Sequence, residues 1–112
     1  MKLFAALRTI RDFERSQLPI LKSIVDFDII IEIGYAEEQQ QPLTLKQIFL
    51  LNLSSRTTVR RRLARLIDEG AVKRSKNAKD QRSSLLTISS SHLKALDKYG
   101  STLTSIFSSI GK

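Results

Sequence analysis

The 112-residue sequence predicts a mainly α-helical fold that carries one small β-hairpin. Three observations predict it. Apolar residues recur at helical spacing in several segments before Gly70 and again after Ser90. Gly70 is followed by two short β-prone segments on either side of a polar, basic loop. Pro19, Thr44, Asn52, Ser55 and Gly70 fall between these segments, where caps and turns are needed.

The first helix is expected over Lys2–Gln17, with Leu3, Leu7 and Ile10 on one side and Arg8, Arg11, Asp12 and Arg15 on the other. Pro19 suits the first turn of a second helix, expected over Pro19–Gly34 and apolar over a wide arc through Ile20, Leu21, Ile24, Val25, Phe27 and Ile31. The run Ile29-Ile30-Ile31 also fits a strand; Asp28 and Glu32 punctuate it, and Gly34 offers a helix end. Glu37–Pro42 then reads as a polar connector.

Leu43 suits a strand of one or two residues, and Thr44 caps a short helix over Leu45–Leu51. Asn52-Leu53-Ser54 makes a tight turn, and Ser55 caps the next helix, Arg56–Glu69. In that helix Val59, Leu63, Leu66 and Ile67 form one apolar stripe, and Gly70 stops it. Turning 100° per residue from the stripe places Thr57, Arg61, Ala64 and Arg65 on the outward face, flanked by Arg60 and Arg62. A hairpin follows: Ala71–Ser75, a loop over Lys76–Arg82, then Ser83–Ile88. A last helix starts near Ser90, with Leu93, Leu96, Tyr99, Leu103, Ile106, Phe107 and Ile110 at helical spacing.

Charge is unevenly distributed. Ten of the nineteen basic residues but only three of the eleven acids lie between Arg56 and Arg82, so this quarter of the chain carries nearly all of the net +8. Seven of the ten are arginines, the side chain suited to bidentate phosphate or guanine contacts. Such a block is the electrostatic footprint of a polyanion partner.

Several classes of function are not expected. The chain has no cysteine, which removes disulfides, thiolate metal sites and cysteine nucleophiles. Its single histidine, His92, reads as a first-turn or surface residue, and the acids are dispersed. Ser54 and Ser55 lack a neighbouring base, and no glycine-rich phosphate loop occurs. No catalytic residue, metal site or cofactor is therefore assigned. No stretch is apolar for the eighteen or so residues of a membrane span, and the N-terminal apolar run stops at Arg8, too early for a signal peptide.

Leu53–Leu63, Leu66–Arg74 and the triplet Asp80-Gln81-Arg82 ahead of Leu86-Thr87-Ile88 resemble the recognition helix, wing turn and wing of the MarR-type winged helix-turn-helix regulators. The resemblance covers roughly Leu43–Leu96, about half of the chain. It implies a single winged helix-turn-helix domain over 1–112, with its core over 43–89. The helices over 1–18 and 90–112 would serve dimerisation through Leu3, Leu7, Ile10, Leu96, Tyr99, Leu103 and Phe107.

It further implies a cytoplasmic, nucleoid-associated homodimer of a bacterium or archaeon that binds palindromic double-stranded DNA and regulates transcription. Ser55, Arg56, Thr57, Arg60, Arg61, Arg62 and Arg65 of the recognition helix would meet the major groove and its flanking phosphates. Lys73, Arg74, Lys76, Lys79, Asp80 and Arg82 would form the wing contact, with Arg82 in the minor groove and Asp80 holding wing arginines in place. Typical members are longer and several take small effectors, so at this length a small-molecule effector is not expected. Two other readings use the same fold: a protein-interaction module, and a replication or partition factor of a mobile element.

Overall fold

In the computed structural model, which describes residues 1–111, five helices and one antiparallel hairpin follow the order α1 Leu3–Gln17, α2 Ile24–Glu38, α3 Leu45–Leu50, α4 Arg56–Asp68, β1 Val72–Asn77, β2 Asp80–Ile88 and α5 Ser90–Ser109. They form two compact units. One comprises Met1–Leu21 together with the segment from Ser90 onward; the other is Lys22–Ser89. The core expected over 43–89 therefore extends back to Lys22, because α2 packs on α4 and on β2. Among the described residues no helix is long and apolar enough to cross a membrane.

In the unit built from the termini, α1 packs on α5 around Ala6, Ile10 and Ile106, with Tyr99, Leu103 and Ile110 against them. Glu14 is buried on this seam. Its carboxylate accepts hydrogen bonds from the Tyr99 hydroxyl and from Arg11 Nη1 at 2.6 Å, so the buried charge is paired. The Tyr99 ring stacks on Phe13 at 5.7 Å. Burial first, and then the Glu14 hydrogen bond, push the Tyr99 hydroxyl up to about 12. Helix α5 runs through Gly100, and the hydroxyls of Ser101, Thr102, Thr104 and Ser108 donate to carbonyls four residues earlier. His92 is buried in the first turn of α5 rather than exposed, and this burial lowers its pKa.

In the central unit α2 differs from its expected span at both ends. It starts at Ile24 rather than Pro19, because the Ser23 hydroxyl accepts from the Asp26 amide and caps the helix. It also passes Gly34, taking in Glu37 and Glu38 that were expected in the connector. The end comes where Gln40, at φ +59°, donates its N–H to the Glu37 carbonyl while Gln41 donates to Ala36. This is a Schellman closure whose left-handed residue is not glycine. The same closure ends α4 at Gly70, φ +83°, with Gly70 bonded to Ile67 and Ala71 to Leu66.

Thr44 and Gln47 form a full capping box on α3. The Leu43 carbonyl accepts from the Leu86 amide at 2.9 Å, and Thr44 bridges Leu85, so the expected short strand is present as one bridge. Ile29, Ile33, Ile48, Val59, Leu63, Leu66, Val72 and Leu86 are all nearly fully buried and form the centre of this unit. The Glu37 carboxylate accepts from the Ile88 amide and ties the end of α2 to β2.

A non-glycine residue in the left-handed region costs on the order of 1 kcal/mol. Gln40→Gly is expected to stabilise the protein by about 0.5–1 kcal/mol, read as a raised midpoint in urea with an unchanged slope.

Candidate nucleic-acid interface

Helix α4 has one apolar side, on which Val59, Leu63 and Leu66 are buried, and the structure sorts its arginines around the remainder. One margin faces α3. There the guanidinium carbons of Arg56 and Arg60 lie 4.8 Å and 5.9 Å from the centre of the Phe49 ring. Thr57 and Arg61 are exposed on the outward face. The opposite margin faces α2, where Arg65 Nη2 donates to Asp26 Oδ2 at 2.8 Å and Arg62 Nη1 lies 3.7 Å from the same oxygen.

Arg65 thus departs from its expected outward position. Its side chain is 24% exposed and bends towards Asp26, which is fully buried, while its other terminal nitrogen pairs with Glu69. The wheel position of its Cα is outward, but a side chain of that length reaches over the helix margin to a carboxylate that needs a partner. Arg62, at 28% exposure, is drawn to the same carboxylate. The Ser55 hydroxyl accepts from the Thr58 amide and donates to the Thr58 hydroxyl, so its polar capacity serves the cap of α4.

No acidic side chain occupies the first turn of α4; Arg56 stands there instead. A cation at a helix N-terminus opposes the macrodipole, whereas an incoming anion is favoured by both. The start of α4 is therefore electrostatically prepared for negative charge.

The hairpin extends further than expected, with a two-residue turn at Ala78-Lys79 in place of a loop over Lys76–Arg82. Lys76 pairs with Ser84, but Asn77 pairs with Asp80, which leaves Gln81, Arg82 and Ser83 as a bulge in β2. Local hydrogen bonds build this tip. Asn77 Oδ1 accepts from the Lys79 amide and Asp80 Oδ1 from the Arg82 amide, each at 3.0 Å. Ser83 Oγ donates to the Asp80 carbonyl and accepts from Asn77 Nδ2. Arg82 projects from the bulge with its side chain 96% exposed, and its Nε lies 3.6 Å from Asp80. Lys73, Lys76 and Lys79 are exposed along the ribbon, and Arg74 is held by a hydrogen bond to Ser84 at 3.0 Å.

Between α3, the start of α4 and the hairpin lies an open groove of about 350 Å³, lined in part by Lys46, Phe49, Arg56, Arg74, Arg82 and Ser84. Sequence reasoning passed over Lys46, Phe49, Ser84 and Asp26. Ser23-x-x-Asp26 has the spacing of a helix-start signature and was the available signal for Asp26. Phe49 carried none, since an aromatic on a short helix reads as core.

Helices, capped turn, the arginine-bearing helix α4 and protruding hairpin follow one known plan, and comparison with solved structures decides which. A transcriptional regulator from Thermotoga maritima matches with a TM-score of 0.67 and 20% identity, over 91% of this chain and 70% of that one. The fold is the MarR-type winged helix. A mutant MarR from E. coli complexed with operator DNA matches this fold with a TM-score of 0.61 and 15% identity, over 93% of this chain and 73% of its own. A SlyA-like transcription regulator from Listeria monocytogenes matches with a TM-score of 0.59 and 17% identity over 88% of this chain, which spans 61% of that protein. No family model and no curated protein matches the sequence.

On the MarR-type plan the terminal unit holds the residues expected at a dimer interface, and the structure divides them. Ile10, Tyr99 and Leu103 serve the α1–α5 core of their own chain, and Leu96 is half-buried. Leu3, Leu7 and Phe107 are exposed, as is Phe4 at 80%. Among the described residues no cluster of three or more histidine, cysteine or acidic side chains could hold a metal ion.

Removing the Asp26 carboxylate strands Arg65 and Arg62 on the α2 side of α4. Asp26→Ala is expected to cost about 3 kcal/mol or more by urea unfolding, with Asp26→Asn costing clearly less because its amide oxygen still accepts. Equal losses in the two variants would show that the charge contributes nothing.

Proposed function

We propose that this protein binds double-stranded DNA sequence-specifically as a homodimer and regulates transcription. The observation that carries the reading is the shared exposure, on the Lys22–Ser89 unit, of Arg56, Thr57, Arg60 and Arg61 at the start of α4 and of Arg82 on the hairpin bulge. The winged-helix fold supports it, as does the operator DNA bound by the E. coli MarR mutant of the same fold.

In this reading the N-terminal half of α4 enters the major groove. Arg56, Arg60 and Arg61 approach base edges, where a bidentate arginine–guanine pair contributes roughly 1–3 kcal/mol of discrimination. Arg74, Lys73, Lys76 and Lys79 neutralise phosphates, and Arg82 enters the adjacent minor groove, with Asp80 fixing the backbone from which it projects. Arg62 and Arg65 are assigned to the Asp26 clamp first, and to phosphates only with their remaining donors. The exposed Leu3, Phe4, Leu7 and Phe107 supply the apolar surface through which a second copy docks. Two-fold symmetry then sets half-sites about 10–10.5 bp apart. The site of action would be the cytoplasm of a bacterium or archaeon.

One set of measurements tests this. Selection from a random duplex pool is expected to return a palindrome, and sedimentation to give a dimer at micromolar concentration. Random-duplex affinity should fall by orders of magnitude from roughly 50 to 200 mM salt. Arg61→Ala should reduce the preference for the selected site about tenfold or more while melting at the wild-type temperature. Absence of duplex binding at low salt would leave an acidic protein as the partner of the basic face.

A further inference from the structure

Ile48 is the residue through which α3 joins the core, at 0% exposure, whereas its neighbour Phe49 is only half-buried. The Phe49 ring faces α4 across the turn at Leu51–Ser55, where Asn52 adopts φ +54°. Two guanidinium groups one helical turn apart on α4 converge on it, Arg56 at 4.8 Å and Arg60 at 5.9 Å. We propose that Phe49 is a specificity-determining positioning residue: its ring holds Arg56 and Arg60 in the geometry in which they read base edges. The proposal rests on the DNA-binding reading above and adds to it a residue that itself touches no base.

The physical case has three parts. An arginine side chain has many rotamers, which a reading contact must restrict on binding; a side chain already held in the free protein loses less. Arg56 also stands at the positive end of the α4 dipole, which repels it, and the negative face of an aromatic ring is the neighbouring group that offsets this. Finally, the ring leaves guanidinium donors free. A carboxylate in the same place would occupy them, as Asp26 occupies Arg65 on the other margin of the helix. An aromatic platform therefore orients an arginine without consuming its hydrogen bonds. The groove beneath this platform is lined by Leu45, Leu63 and Ile67, which would accept a leucine in place of the ring.

The test compares wild type with Phe49→Leu, which keeps apolar bulk but removes the π face, and Phe49→Tyr, which restores it. In the free protein, NMR should show the Arg56 and Arg60 side-chain protons shifted upfield by the ring. The shift should vanish in Phe49→Leu and return in Phe49→Tyr, with both variants folded by circular dichroism. On duplexes, Phe49→Leu should reduce the ratio of selected-site to random-duplex affinity by about fivefold to tenfold, random affinity falling far less, and Phe49→Tyr should recover the ratio. Equal loss on both duplexes, an unchanged ratio, or no ring shift in wild type would overturn the proposal. If wild type bound no duplex, the specificity role would fall together with the DNA reading. The ring shift would then report on the arginine platform alone, so the two failures are told apart.

Discussion

A single buried carboxylate sets how α4 is carried. Asp26 lies in the first turn of α2 with no exposed surface, accepts the Lys22 amide at 2.8 Å, and receives Arg65 at the same distance. Apolar packing through Val59, Leu63 and Leu66 decides which side of α4 faces inward, but packing alone is tolerant of small rotations about the helix axis. A charge pair at one margin is not. It costs desolvation, and a rotation that carried Arg65 away would leave the Asp26 charge buried and short of its partner.

That placement has a consequence for charge. The five arginines of α4 do not form one undifferentiated face. Arg62 and Arg65 are drawn back to the α2 margin, and Arg56 and Arg60 lean towards Phe49, so Arg61 stands alone on the outward side. Positive potential is thereby concentrated near the first two turns, next to the unsatisfied amides of the helix start. On the hairpin the same end is reached by different means. Asn77, Asp80 and Ser83 use their side chains to build the bulge from which Arg82 projects, and the ribbon's exposed lysines supply charge without fixed geometry.

The helices and the hairpin were legible because their signals are local. Thr44, Ser55 and Gly70 cap or close the elements they were expected to. The limits of α2 were not, and the misleading residues are instructive. Pro19 and Gly34 carry strong average preferences, yet the helix starts at a serine cap and ends on Gln40 in a left-handed conformation. The tie between Glu37 and the Ile88 amide lies 51 residues apart in sequence and holds the last turn of α2 in place. A local serine cap at the start and this tertiary tie at the end overrode the average preferences of proline and glycine.

From the order of residues alone follow the mainly helical plan with its hairpin, the inward stripe of α4 and the basic quarter of the chain, because periodicity, capping chemistry and charge are properties of neighbours. Which arginines face solvent was decided only by folding. A long flexible side chain goes to the partner whose desolvation is most costly, and Asp26, 39 residues from Arg65, and Phe49 became neighbours of α4 only when the helices packed.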